Sequence, residues 1–218
     1  MHGIFFEPPI ETNFIGHIFA EIYKDRVYAP FVEGKNLGTI LDVGANIGLT
    51  SYYFAQHAKE VIAVEPDLEH FDCLMKMVEH NKLVNIKPVN KAVYIKSGKF
   101  PLFRPEGNRT MNSLHQGVVA NHQDPKFQSV ETVTLPQLFS DLSIKEVDLF
   151  KCDIEGTEYE LFCSTSFKEV ADKIKMVITE VHQWADRNPQ QLIDGFKNAG
   201  FINVERLKSD ANIMIASK

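Results

Sequence analysis

The chain has 218 residues, 44% of them hydrophobic and 24% charged, enough apolar material for one domain with a full-sized core. Its formal net charge of −6 argues against a general nucleic-acid or anionic-membrane binder, because phosphate recognition needs clustered positive charge. No apolar run approaches the roughly 20 residues of a membrane helix.

Met1-His2-Gly3-Ile4-Phe5-Phe6 lacks the basic and apolar regions of a secretory signal. Three cysteines, Cys73, Cys152 and Cys163, form no CxxC pair and fit a reducing cytoplasm better than a disulfide framework. Residues 10–36 mix apolar and aromatic side chains without a clean period. They are expected to form an N-terminal helical cap (1–36), a candidate cover for the active face, on a main domain spanning 37–218.

The main domain alternates short β-rich runs with helix-period segments. Residues 39–43 read as a buried strand ended by Gly44, and 47–57 as a helix. A second strand at 60–64 leads to a helix over 67–81 with Asp67 as its N-cap, then a third strand at 85–89. Residues 92–95 and 99–103, around Ser97-Gly98, read as a hairpin. The polar stretch 104–128, with Gly107, Gly117 and Pro125, reads as a long loop or lid.

Alternation then resumes. A helix is expected at 134–142, a strand at 147–152, and a capping box from Thr157 to Glu160 that opens the next helix. A strand at 175–181 precedes a helix at 189–199, which has Pro189 at its start and Gly200 just past its end. Residues 201–206 and 212–216 close the domain as an antiparallel pair. This order predicts a doubly wound α/β fold: a mainly parallel sheet with an antiparallel C-terminal edge, covered by helices on both faces.

Ligands of such sheets bind beyond the C-terminal strand ends. The first end here is Asp42-Val43-Gly44-Ala45-Asn46-Ile47-Gly48, whose small residues permit a tight turn. Glu65 ends the second strand, at the distance where a βαβ unit places an acceptor for both hydroxyls of a ribose. A dinucleotide would want G-x-G-x-x-G, but the middle position is Asn46 and no replacement glycine follows. S-adenosylmethionine, which has a ribose and no phosphate, fits better.

Three stretches then come in order: the Asp42–Gly48 turn, Val64-Glu65-Pro66-Asp67, and Asp148-Leu149-Phe150-Lys151-Cys152-Asp153-Ile154-Glu155-Gly156-Thr157-Glu158. Together they resemble the signatures of the FkbM-type methyltransferases, over residues 38–200. Cys152 and Thr157 depart from the aliphatic and Ala more usual there, and the first 35 residues carry no family signal.

The resemblance implies a class I, Rossmann-like, three-layer fold, with S-adenosylmethionine as cofactor and mostly O-methyl transfer. Gly44, Ala45 and Asn46, with Gly48 in the same turn, would then line the cofactor's amino-acid part. Glu65 would bind its ribose, Pro66 and Asp67 would flank its adenine, and Asn90, Lys91 and Ala92 would border the far side. Asp153 would lie near the cofactor's amino group and the transferred methyl. Asp42 reads as a hydrogen-bonding support beneath the turn, and Lys151 as an ion-pair partner.

An alcohol acceptor must lose a proton, and the strand ends carry candidates for that work: Asp153, Glu155, Glu180 and His182. His182 is the natural acceptor at neutral pH, whereas Glu158 suits the helix N-terminus electrostatically. Asp153, Glu180 and His182 could gather a divalent cation, but without H-x-x-x-H or an acidic loop no metal is expected.

Asn108, Arg109, Asn112, Ser113 and His115 would cover or select the acceptor, a small molecule or sugar, and Trp184 could stack on it. Two other functions stay open at this point: an NAD-dependent oxidoreductase, and a catalytically inactive domain that binds S-adenosylmethionine as a partner or scaffold. The sequence does not address oligomeric state.

Overall fold

The computed structural model describes residues 5–6, 15–104, 112–115, 126–182, 187–207, 210 and 212–218. The N-terminal part is helical in short pieces: α1 (Ile15–Phe19), a π-helical turn (Ala20–Lys24) and α2 (Ala29–Val32). Then β1 (Leu37–Val43), α3 (Leu49–Ala55), β2 (Ala58–Val64), α4 (Leu68–His80) and β3 (Ile86–Val89) follow as expected, each within a few residues of its predicted bounds. Asp67 caps α4, accepting from the Glu69 and His70 amides at 2.9 and 3.2 Å.

The expected hairpin is different. Ala92–Val93 forms β4, and Gly98–Arg104 forms β5, but they do not pair with each other. Both pair instead with β6 (Lys126–Val133), β4 in parallel over two residues and β5 antiparallel from Gly98↔Thr132 to Arg104↔Lys126. The long pairing wins because it satisfies a whole ladder of backbone groups. The first half of β6 is mostly exposed, with Lys126, Gln128 and Ser129 polar, which is why 126–128 reads as loop from sequence.

The chain continues through α5 (Leu135–Asp141), β7 (Leu149–Cys152), α6 (Glu158–Phe162), α7 (Thr165–Lys168), β8 (Met176–Glu180), α8 (Pro189–Asn198), β9 (Asn203–Arg206) and β10 (Ile213–Ser217). The capping box predicted at Thr157 is not formed. Thr157 has φ −92° and ψ 4°, not the extended backbone a capping side chain needs, and its hydroxyl donates to Ile154 O at 3.3 Å.

The main sheet has seven strands in the order β3-β2-β1-β7-β8-β10-β9, parallel except for β10, which runs antiparallel to both neighbours. Strand parity sorts its side chains into two cores. Leu41, Val43 and Phe150 pack with Leu138, Phe162, Phe167 and Phe196 on one face. Ile40, Val61 and Leu149 pack with Phe54, Leu74, Met77 and the N-terminal Ile22 and Val32 on the other. The result is a three-layer α/β/α fold. No described helix is long and apolar enough to cross a membrane.

Helix α8 begins with a reciprocal cap: Asn188 Oδ1 accepts from the Gln190 amide at 2.9 Å, and the Gln191 side chain accepts from the Asn188 amide. Asn188→Ala is expected to cost about 1 kcal/mol, a fall of about 2–4 °C in melting temperature for a domain of this size, read by thermal unfolding.

Candidate active site

Beyond the C-terminal end of β1 the backbone turns sharply, with positive φ at Gly44 (77°), Asn46 (52°) and Gly48 (91°). Asn tolerates this region better than most residues, and Asn46 Oδ1 accepts from the Ile47 amide. Gly44 is required by contact as well as by conformation. A Cβ there would stand 1.7 Å from the Asp153 carbonyl oxygen, so the ends of β1 and β7 touch through this one glycine.

The turn's amides are spent internally. Gly44 and Ala45 donate to Val64 O, Asn46 to Glu65 Oε2, Ile47 to Asn46 Oδ1, and Gly48 to Ala45 O. Glu65 also accepts from the Asp67 amide through Oε1 at 2.8 Å. It lines a cleft of about 590 Å³, counting its mouth, with Gly44, Asn46, Pro66, Ala92 and Asp153. Burial raises the Glu65 carboxyl to about 8, against the two amide bonds that favour its charge. Each of its oxygens has one amide and retains a further acceptor direction.

At the β7 and β8 ends the carboxylates converge on one imidazole. His182 Nδ1 donates to the fully buried Glu158 at 2.9 Å. Its Nε2 lies 3.2 Å from Glu155, 3.8 Å from Asp153 and 3.9 Å from Glu180. Burial would favour the neutral ring, but the bond to Glu158 and the surrounding carboxylates push it up to about 10. Burial likewise raises Glu155 to about 8 and Glu180 to about 7. Asp153, Glu155 and His182 offer one ligand atom each within 4.8 Å of one another.

A model of the methyltransferase FkbM domain matches residues 42–202. The chain belongs to the FkbM methyltransferase family.

No curated protein matches the chain. Its fold is similar to that of the FkbM methyltransferase from Methylobacillus flagellatus, at 12% identity and a TM-score of 0.53, covering 84% of this chain and 44% of that one. This chain thus spans less than half that protein. A methyltransferase from Geobacter sulfurreducens is similar over 99% of this chain and 93% of its own, at 10% identity and a TM-score of 0.53. A precorrin-6y C5,15-methyltransferase from Geobacter metallireducens is similar over 88% and 86%, at 11% identity and a TM-score of 0.52.

The residues singled out from sequence take the following places in this FkbM-type site. Gly48 is not in the cleft: a Cβ there would meet Met77 and Leu74 at 2.4 and 2.6 Å, so it lets α3 pack on α4. Asp67, wholly buried, is committed to the α4 cap, to Asn112 and to Arg104 at 3.0 Å. Asn90 donates to Glu65 O and Pro66 O and so shapes the β2 end. Ala45 faces a neighbouring recess. Asp42 supports the turn by accepting from Ser51 and pairing with Lys151.

The bond to Glu158 and the neighbouring carboxylates favour the charged form of the His182 ring, which weighs against it as the resting proton acceptor.

His70, Leu102 and Leu114 line the cleft without having been marked by sequence. Burial keeps His70 below its ordinary pKa, so it presents a neutral ring. From the expected lid, Ser113 donates to Glu155 O at 2.6 Å and His115 Nε2 lies 3.1 Å from Glu160. Asn108, Arg109 and Trp184 lie outside the described residues.

Proposed function

We propose that this chain is an S-adenosylmethionine-dependent O-methyltransferase acting on a hydroxyl of a small molecule or sugar. One observation carries the cofactor: five successive turn amides are satisfied internally while Glu65 keeps acceptor capacity toward the cleft. A pyrophosphate needs free amides at such a turn, whereas two ribose hydroxyls need a carboxylate. This favours S-adenosylmethionine over NAD. Val64, Pro66, Leu102 and Leu114 offer apolar faces to a flat base.

When bound, this cofactor supplies a methyl group activated by its sulfonium. The protein's own work is to align the acceptor and receive its proton. Glu155 both lines the cleft and meets His182, so it is the residue proposed to take that proton, with Asp153 and Glu180 beside it. The net charge of −6 and the concentration of carboxylates here disfavour a polyphosphate acceptor such as RNA. Three free cysteines suit a reducing, cytoplasmic setting.

Thermal unfolding tests the cofactor. S-adenosylhomocysteine at about 100 times its dissociation constant should add roughly 2.7 kcal/mol, a rise of about 5–10 °C, and NAD none. Glu65→Gln, which replaces one acceptor oxygen with a donor, should weaken S-adenosylhomocysteine by about tenfold. A shift with NAD alone would end this reading. For the reaction, a labelled methyl donor should place its methyl on oxygen in a panel of alcohol and amine acceptors; transfer only to nitrogen would refute the O-methyl assignment.

A further inference from the structure

A second recess, of about 370 Å³ counting its mouth, opens on the other side of the Gly44 turn. It shares Gly44, Asn46 and Asp153 with the main cleft, so the two meet over the turn. Its outer wall is Ile18, Glu21 and Tyr28, from the helical segment that precedes the family match at residue 42.

The recess holds more negative than positive charge. Lys151 Nζ donates to Gly44 O at 2.9 Å and lies 3.4 Å from Asp42 and 3.5 Å from Asp153. That one cation is therefore divided before its field reaches Glu21. Tyr28, itself buried, donates to Glu21 Oε1 at 3.0 Å and fixes its position. Asp153 Oδ1 accepts no hydrogen bond among the described residues, its nearest cationic group being His182 Nε2 at 3.8 Å. Burial pushes the Glu21 carboxyl above its ordinary range. Desolvated carboxylates are costly unless a cation joins them, and a ligand ammonium is a cation of suitable size with three donors.

We propose that Glu21 is a cofactor-binding residue which, with Asp153, takes the α-ammonium group of S-adenosylmethionine. This rests on the cofactor reading above: a ribose held at Glu65 directs the amino-acid end past Gly44 into this recess. The N-terminal segment is then part of the binding site, although it carries no family signal.

Calorimetric titration of Glu21→Gln tests this, because Gln still accepts from Tyr28 and keeps the wall in place. S-adenosylhomocysteine should bind about tenfold or more weakly. 5′-Methylthioadenosine, which has the adenosyl group and sulfur but no amino-acid end, should compete for the site as well as it does with the parent protein. Equal losses for both ligands, or none for either, would overturn the assignment. If the parent protein binds neither ligand, the cofactor reading falls and this proposal with it. Should Glu21→Gln fail to fold, Tyr28→Phe, which frees the carboxylate, should weaken S-adenosylhomocysteine alone; no selective loss would again refute the role.

Discussion

Glu155→Gln is expected to lower kcat by about 10²–10⁴-fold, the range in which a lost general base is felt, with S-adenosylhomocysteine affinity largely unchanged. The leaving group of a sulfonium is neutral and good, so the acceptor's proton is the chemical difficulty left to the protein. Glu155 and Asp153 both line the cleft, and Glu155 is the nearer to His182 Nε2, at 3.2 Å against 3.8 Å. Burial raises it to about 8, making it a stronger base than an exposed carboxylate while still partly ionised at neutral pH. Asp153 is 30% exposed and has an oxygen 3.5 Å from Lys151. The substituted amide would still accept from His182, so the shape of the site survives and only proton transfer is lost.

The pH profile should carry the same assignment. In the parent protein kcat/KM should rise through about pH 8 as Glu155 ionises and fall through about pH 10 as His182 loses its proton. Because the two groups are 3.2 Å apart, these limbs belong to the pair. Glu155→Gln should abolish the acid limb. An acid limb that persists near pH 7 would transfer the role to Glu180, which burial raises to about 7.

What could be read from sequence divides by distance along the chain. The Gly44 turn and Glu65 belong to one contiguous βαβ unit, where strand parity, turn residues and spacing act locally, so the cleft floor was legible. So were the strands of the main sheet, since short apolar runs between helix-period segments leave few other arrangements. The roof was not. Leu102, Leu114 and the N-terminal Glu21 reach the site by packing of segments far apart in sequence, and no local period marks a polar residue that folding turns inward. The β5–β6 pairing was missed for the same reason: 21 residues, 105–125, separate its strands. Asp67 forms the helix cap that its position predicts, and Gly48 packs α3 on α4, a role its place in the turn does not signal.

Glu158 is where fold and chemistry meet, and Glu158→Ala is expected to cost about 3–5 kcal/mol of stability, measured by urea unfolding. Its carboxylate is fully buried, accepts from the Ile154 and Gly156 amides at 3.0 and 2.9 Å, and holds His182 Nδ1. Alanine would strand two amides and a buried imidazolium together, each group left unsatisfied at about 1–3 kcal/mol. A loss below about 1 kcal/mol would mean that water replaces the carboxylate and that the loop does not depend on it.

Glu158→Gln separates the charge from the shape. It keeps one acceptor for the loop, yet removes the partner that does most to raise His182 against burial. The ring's pKa should then fall from about 10 toward or below its ordinary 6.5, and the alkaline limb of the activity profile should move down with it. Stability should follow with a definite sign. A folded-state pKa raised from 6.5 to about 10 contributes stability that is complete below pH 6.5 and lost as pH rises through 10. The parent protein should therefore weaken across that window more steeply than Glu158→Gln. Parallel stability curves for the two proteins would show that His182 is not held protonated by Glu158, and the proton inventory built on that pair would have to be redrawn.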